Sequence, residues 1–554
     1  MRETAVHAHF LDSMRPTDRW IPSKEAPSKD GEALREAVLS VREPFFIVEK
    51  DGTPAVARGG TAIIGKAEGK DRDGALPLLA HSPACRPESL GDQEFCRDHS
   101  IRYPYCGGSM AQGISSVELV EALCSGGMLA FYGAAGMPLD RVESAIDRLM
   151  KSLGPDRPFG FNLIHSPNEP LTELSCAELY IRRNLGLVEA SAFMDITLPL
   201  VLYRLDGIHS LPSGEVITPR RIMAKVSRVE VASKFFAPPP ASLMAELVAQ
   251  GRLTEEQARM AEQIPMAEDL TAEADSGGHT DNRPALSLVP TMMTLRDRIQ
   301  QKYGYKAKLR VGAAGGISTP ASAAAAFSMG AAYIMTGSVN QACLESGTSD
   351  PVRAILAQTE QADVTMAPAA DMFEMGVKVQ VVKRGTMFPM RAARLYSLFQ
   401  SCEKLEDIPP GERTMIEKNM LLGSFEDTWN LVCRYFTERD PEQIEMAERN
   451  PKHKMALIFR FYLGQASRWA ISADPKRKFD YQIWCGPAMG SFNEWTKGTF
   501  LQEISNRKAV TVARNLLHGA AVITRLNNLR YQGVYIPELN PAPLTDSCLD
   551  NYLQ

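Results

Sequence analysis

Val311-Gly312-Ala313-Ala314-Gly315-Gly316-Ile317 and, one short helix later, Tyr333-Ile334-Met335-Thr336-Gly337-Ser338 are two apolar runs that each end on glycine. Leu309 to Ala314 suits a buried strand. Gly315-Gly316 lets backbone approach an anion without Cβ interference, and Ser318 or Thr319 can cap a helix whose first position is Pro320. Unpaired N–H groups at that helix start favour a phosphate. The helix, Ala321 to Met329, is mostly alanine and ends at Gly330. The strand after it stops at Gly337-Ser338, where a second set of amides becomes available. In a (β/α)8 barrel, the loops after strands seven and eight form a phosphate site of this kind. Either glycine pair alone reads equally well as a tight turn; their spacing argues for a cradle.

Outward from this pair, the chain beyond Tyr103 alternates short buried runs with amphipathic segments, the pattern of a parallel sheet with crossover helices. The strand candidates are Tyr105 to Met110, Met128 to Tyr132, Phe159 to Ile164, Val188 to Phe193, Ile222 to Val226, Asp269 to Ala274, Lys308 to Ala313 and Ala332 to Thr336. Helices are expected between them, at Ser116 to Cys124, Leu139 to Leu153, Glu169 to Asn184, Pro199 to Leu205, Glu230 to Phe235, Leu286 to Tyr303 and Ala321 to Met329. Eight strands close a barrel, whereas a doubly wound sheet usually has fewer. The expected fold is therefore α/β, a (β/α)8 TIM barrel over residues 101–350 with a helical insertion at about 238–266. An N-terminal strand-and-turn segment, 1–100, precedes it, and a mostly helical second domain, 351–554, follows. Lys66 to Asp98 reads as a polar connection.

A chain of 554 residues needs more than one core. Its net charge of −5 argues against a general nucleic-acid surface. The ten cysteines are scattered, as expected of reduced thiols in the cytoplasm. His81, Cys85, Cys96 and His99 could ligate a metal, but their spacing matches no common zinc module, so no metal is expected. No apolar run of about 18 residues suits a membrane span. Met1 to Trp20 lacks a signal-peptide core. Homo-oligomerisation is compatible with the sequence.

Barrel active sites form at the carboxyl ends of the strands. Strand one ends in Gly107-Gly108-Ser109-Met110, strand three in Phe161-Asn162, and strand six in Glu273-Ala274-Asp275-Ser276-Gly277-Gly278-His279. Lys225 interrupts Ile222-Met-Ala-Lys-Val226, a run that otherwise reads as buried, which favours a functional over a surface lysine. His279 follows two glycines that let a substrate come close, and both imidazole states are accessible near neutral pH. Cys106 has no basic neighbour in sequence and reads as an inert buried thiol. Lys383-Arg384, Arg391 and Arg394 form a basic run that could dock an acidic protein or simply face solvent.

Glu273-Ala-Asp-Ser-Gly-Gly-His279-Thr-Asp, Gly312-Ala-Ala-Gly-Gly-Ile317, Thr336-Gly-Ser-Val-Asn-Gln341 and Pro368-Ala-Ala-Asp-Met-Phe-Glu374 resemble motifs of the flavin barrels that include nitronate monooxygenase and the flavin-dependent enoyl-acyl-carrier-protein reductase. The resemblance is closest to the PfaD-type trans-acting enoyl reductases of polyunsaturated fatty acid and polyketide synthases. It runs from Pro104 to about Gln532, including Asp480-Tyr-Gln-Ile-Trp-Cys-Gly-Pro487. The resemblance implies FMN across the barrel mouth, with Gly108 and Met110 against the isoalloxazine and Asn162 at its pyrimidine edge. Lys225 would then lie near flavin N1, and the cofactor set is completed by Glu273, Gly277, Gly278, Gly315, Gly316, Gly337 and Ser338. His279 corresponds to the active-site histidine; Glu273 and Asp275 would orient it or bond the flavin.

The implied activity is reduction of a trans-2-enoyl thioester on an acyl carrier protein, with NADPH or NADH as transient hydride donor. No G-x-G-x-x-G follows a strand, so the dinucleotide has no Rossmann site. Two other readings are a nitronate monooxygenase-like oxidase, with His279 as base, and a catalytically silent flavoprotein subunit of a synthase.

Overall fold

A computed structural model of the chain describes residues 7–8, 18–23, 25–65, 74–154, 158–165, 170–437, 439–536 and 539–553. The expected helix start at Glu169, the first part of the Lys66 to Asp98 connection and most of Met1 to Trp20 lie outside these residues.

Eight parallel strands close a barrel in chain order: Tyr105–Gly107, Leu129–Tyr132, Gly160–Ile164, Leu187–Ser191, Arg221–Val226, Asp269–Glu273, Arg310–Ala314 and Ile334–Thr336. The seam pairs the last strand with the first, Thr336 opposite Gly107. There Tyr105 and Thr336 hydroxyls lie 2.6 Å apart, and Gly108 N–H donates to the Thr336 carbonyl at 3.0 Å. Alternate side chains point inward. Cys106, Leu129, Phe131, Met223, Tyr333 and Met335 form an apolar layer inside the barrel, while Val188, Ala190, Ile222 and Ala224 pack outward in the core that includes the crossover helices. Burial pushes the Cys106 thiol well above the usual range, which makes it inert.

The amino-terminal end of the barrel is plugged. Helix Gln93–Asp98, capped by Asp92, lays Phe95 flat on Tyr333 with ring centroids 4.2 Å apart. Asp269 and Arg310, opposite each other in register, pair at 2.7 Å, and His99 Nε2 lies 2.8 Å from the same carboxylate. His99 is thus engaged in an ion-pair network. Among the described residues no cluster of three or more His, Cys, Asp or Glu is arranged for a metal.

Outside the barrel, the sequence reading needs two corrections. The N-terminal segment is a five-stranded antiparallel sheet with a helix, Gly31–Leu39, between its strand Arg19–Ile21 and the other four, and the helix N-cap Asp30 accepts from Glu32 N–H. Leu34, Ala37 and Val38 give that helix its buried face, so the expected strand-and-turn segment also contains a helix. The Lys66 to Asp98 connection contributes a full strand, Leu76–Ser82, to the sheet, with Leu79 and Ala80 in the core shared with the helix and Leu76 and Leu78 in a second apolar cluster with Trp20.

The insertion before strand six appears as helices Ala241–Ala249 and Glu255–Ala261. After the barrel, strands Val364–Pro368 and Lys378–Val382 lead into a helical layer whose centre is the long helix Pro451–Ile471. The final long helix, Ala509–Tyr531, returns to pack on the barrel and on the N-terminal sheet. It carries Arg525 into that interface, where the guanidinium donates to the carbonyls of Val38, Ser40 and Glu43 and sits 4.7 Å over the Phe45 ring. Among the described residues no helix is long and apolar enough to cross a membrane.

The buried Asp269–Arg310 pair generates a prediction. Burial by itself would raise the Asp269 pKa, but Arg310 and His99 overcome it and hold the carboxyl down at about 2. A depressed carboxyl pKa adds stability that is complete above its ordinary value of about 3.9 and lost as pH falls toward the folded value. Arg310→Met should cost about 3–5 kcal/mol in denaturant unfolding at neutral pH, because it strands a buried anion. That deficit should shrink as the pH is lowered from about 4 to about 2.

Candidate active site

The carboxyl ends of the strands open into a cavity of about 760 Å³. Gly108, Met110, Asn162, Lys225, Glu273, Gly277, Gly278, His279, Gly315, Gly316, Gly337 and Ser338 all border it. The sequence motifs were far apart in the chain; the barrel brings them together.

The glycine pairs behave as their spacing predicts. Thr319 caps helix Pro320–Ser328 in a capping box with Ser322, and Pro320 is its first residue. Gly315 and Gly316 both have positive φ, at 82° and 75°. A Cβ at Gly315 would meet the Ala274 carbonyl carbon at 2.7 Å, so that glycine is required by packing against the end of strand six. A Cβ at Gly316 or Gly337 would meet nothing within 4 Å. The amides of Gly316, Gly337 and Ser338 donate to no protein acceptor among the described residues. Open space beside free N–H groups at two helix starts suits an anion.

Three charged side chains meet at the top of the barrel. Lys225 Nζ lies 3.6 Å from Glu189 and 3.7 Å from Glu273. Burial alone would lower the lysine pKa, but the two carboxylates raise it, so Lys225 stays an ammonium. The Glu273 pKa is raised too, which for a carboxyl favours the neutral form. Burial raises its pKa, and neighbouring Glu189 adds to this, against the opposing pull of Lys225. Glu189 is fully buried and also accepts from the Ser109 backbone N–H and hydroxyl; its Oε1 has no partner among the described residues. The sequence reading missed Glu189, although it carried the same signal as Lys225: a charge inside an apolar run.

His279 stands at the mouth, with its side chain 32% exposed. It leaves the barrel on a two-residue strand, Gly278–His279, that pairs antiparallel with Lys378–Val382. The turn at the far end of that hairpin carries Asp371, whose Oδ1 lies 3.1 Å from His279 Nε2. Burial would lower the histidine pKa, but Asp371 raises it, and the imidazole in return lowers that of Asp371 against its own desolvation. With Nε2 engaged, Nδ1 is the ring nitrogen available to a ligand. Asp275 orients the loop rather than the imidazole: its Oδ1 accepts from Asn282 and Gln380, both at 2.8 Å. Gln380 also donates to the Ser276 carbonyl.

Other sequence-predicted residues acquire more restricted parts. Asn162 Oδ1 accepts from Ala135 N–H at 3.1 Å, which fixes the amide and leaves its NH2 free to donate to a ligand. Gly108 is needed for packing as well as access, since a Cβ there would meet Met335 sulfur at 3.0 Å. A Cβ on Gly277 would lie 2.8 Å from Cys485 Cα, and Gly486 N–H donates to the Ser338 hydroxyl. The Trp484 to Pro487 turn is thereby the roof over the cradle. In the basic run Arg384 pairs with Asp363, Arg391 with Asp480 and Arg394 with Glu412, while Lys383 and Arg394 are exposed.

A closed parallel barrel with a glycine cradle after strands seven and eight, and titratable groups on strands four to six, defines an α/β barrel with an anion-binding active-site cavity at its carboxyl end. Residues 94–407 match the nitronate monooxygenase family, and residues 402–481 match the inserted helical domain of [acyl-carrier-protein] S-malonyltransferase. The chain belongs to the nitronate monooxygenase family. It is 45% identical over 517 residues to a polyunsaturated fatty acid synthase polypeptide of Thraustochytrium sp., covering 92% of this chain and 34% of that protein. It is 43% identical over 450 residues to polyketide biosynthesis protein PksE of Bacillus subtilis, covering 81% of this chain and 58% of that protein. The chain therefore spans about a third and somewhat over half of these relatives. The enoyl reductase domain of MlnA, from the macrolactin cluster of Bacillus amyloliquefaciens, superimposes with a TM-score of 0.76 at 38% identity, covering 79% of this chain and 99% of that one. The resemblance read from the motifs holds.

The histidine–aspartate pair is directly testable. Asp371→Asn should lower the pKa of His279, read from the imidazole resonances in an NMR titration; an unchanged midpoint would show that Asp371 does not control it.

Proposed function

We propose that this chain is an FMN-dependent enoyl reductase, acting in trans for a polyunsaturated fatty acid or polyketide synthase. It would take hydride from NADPH or NADH and reduce trans-2-enoyl thioesters carried by an acyl carrier protein. The observation that carries this reading is the convergence of every motif-derived residue on one cavity, with a cradle of free amides at one side and His279 at the mouth. The names of the relatives, synthase polypeptides and an enoyl reductase domain, support it.

The residues fit FMN. Gly316 and Gly337 leave room where any Cβ would project, and the amides beside them suit its phosphate. FMN, when bound, would supply hydride-transfer chemistry that side chains lack. The chain's own residues would do the rest. The amides of Gly316, Gly337 and Ser338 hold the phosphate, and Gly315, Gly277 and Gly278 shape the loops around it. Gly108 and Met110 form an apolar wall for the ring, and Asn162 donates through its NH2. Lys225, kept charged between Glu189 and Glu273, offers positive charge where reduction leaves negative charge. His279, protonated with the help of Asp371, presents an N–H to the thioester, where it polarises the carbonyl or delivers the proton to Cα.

The absorbance spectrum of purified protein tests the cofactor: the expected result is a bound flavin, and colourless protein that refuses added FMN would refute it. Anaerobic stopped-flow tests the reaction. An enoyl thioester that reoxidises the NADPH-reduced protein supports the reductase; turnover of a nitronate with oxygen instead would support the oxidase reading; neither would leave a silent subunit. Gly316→Leu should abolish flavin retention. His279→Ala should stay yellow and lose about 100-fold or more in enoyl turnover, the size of a general acid's contribution; an unchanged rate would remove its role.

A further inference from the structure

Helix Pro451–Ile471 carries a glycine near its middle that packing does not require. A Cβ on Gly464 would meet no atom within 4 Å, and interior glycine costs a helix about 1 kcal/mol relative to alanine. Gly464 borders the active-site cavity. Arg460 and Arg468 stand four residues to either side of it, on the same helix face, and border the cavity too. Arg439, just beyond helix Phe425–Thr437, joins them with its guanidinium 4.0 Å over the Tyr435 ring.

The three arginines differ in their engagement. Arg460 donates to the Ala370 carbonyl at 2.9 Å and to Glu374 at 3.1 Å. Arg439 and Arg468 are exposed, and neither has a carboxylate partner among the described residues. In a chain of net charge −5, positive charge without compensation beside an opening calls for an anionic ligand. The planar guanidinium fork matches phosphate oxygens two at a time.

Building on the enoyl reductase reading, we infer that Arg439, Arg460 and Arg468 around the Gly464 gap form a second phosphate site, which grips the phosphate ester of an extended ligand whose reactive end lies in the barrel. The gap admits the body of the ligand, and the arginines fix its far end. Two molecules of the proposed reaction share this chemistry: the phosphopantetheine arm of a carrier protein and the dinucleotide.

Calorimetric titration of the flavin-loaded full chain with 4′-phosphopantetheine, pantetheine and NADPH tests this without turnover. Arg439→Ala and Arg468→Ala should each weaken a phosphate-bearing ligand about tenfold, the worth of a charge-assisted hydrogen bond, and leave pantetheine unchanged. A loss confined to 4′-phosphopantetheine assigns the site to the carrier arm, and one confined to NADPH assigns it to the dinucleotide; both support it. Gly464→Leu should weaken the same ligand while the melting temperature holds or rises, since leucine favours the helix. A wild-type protein that binds none of the three, or a double arginine variant with unchanged affinity for both phosphate ligands, overturns the site. Protein that shows the arginine-dependent binding but reduces no enoyl thioester would refute the proposed activity and leave the site standing.

Discussion

Two residues, Gly278 and His279, leave the barrel and add themselves to the edge of strand Lys378–Val382. This short ladder ties the loop after strand six to a segment about a hundred residues later. Because the register sets His279 opposite Val379 and Gly278 opposite Gln380, it also sets which side chains meet. Gln380 locks Asp275 and Ser276, and the hairpin turn brings Asp371 to His279. The close approach of Gly277 to Cys485 then pins the roof against the same loop. The histidine is placed by backbone pairing rather than by its own packing, which leaves it accessible.

Charge sits at both ends of the barrel with an apolar layer between. At the amino-terminal end Asp269, Arg310 and His99 satisfy one another, and the network is structural. At the carboxyl end Lys225 is shared at longer distances by two carboxylates, Glu273 is pushed toward its protonated form, and one oxygen of Glu189 is without a partner among the described residues. Unequal satisfaction of these charges separates a group that holds the fold from groups positioned for chemistry.

Much of this was legible in the sequence because it is local. Strand cores follow from apolar runs, and the cradle from glycine at two strand ends. Errors cluster where tertiary pairing decides. Strand one stops at Gly107, not Met110, because Gly108 turns to bond Thr336 across the seam. Glu189 interrupts the buried strand Leu187–Ser191 as Lys225 interrupts its own, a signal the sequence held, but its contact with Lys225 comes from pairing of the two strands. Asp371 lies in one of the motifs, but its pairing with His279, like the part played by Gln380, comes from a ladder between distant segments that no local pattern reports. The helix Gly31–Leu39, by contrast, was signalled by Asp30 and the spacing of Leu34, Ala37 and Val38, and was readable from the start.

Arg525 has a consequence for anyone cutting or grafting this barrel. Its guanidinium is buried with no acidic partner among the described residues, burial lowers its pKa to about 10, and its acceptors are carbonyls around the end of helix Gly31–Leu39. The first and last portions of the folded chain are therefore one structural element split across the sequence. A fragment that keeps the barrel and the closing helix but omits the leading sheet would bring Arg525 to water together with Ala521, Val522 and Leu529, apolar side chains that otherwise pack in the N-terminal core. Such a piece would inherit a sticky, charged seam in place of a finished surface.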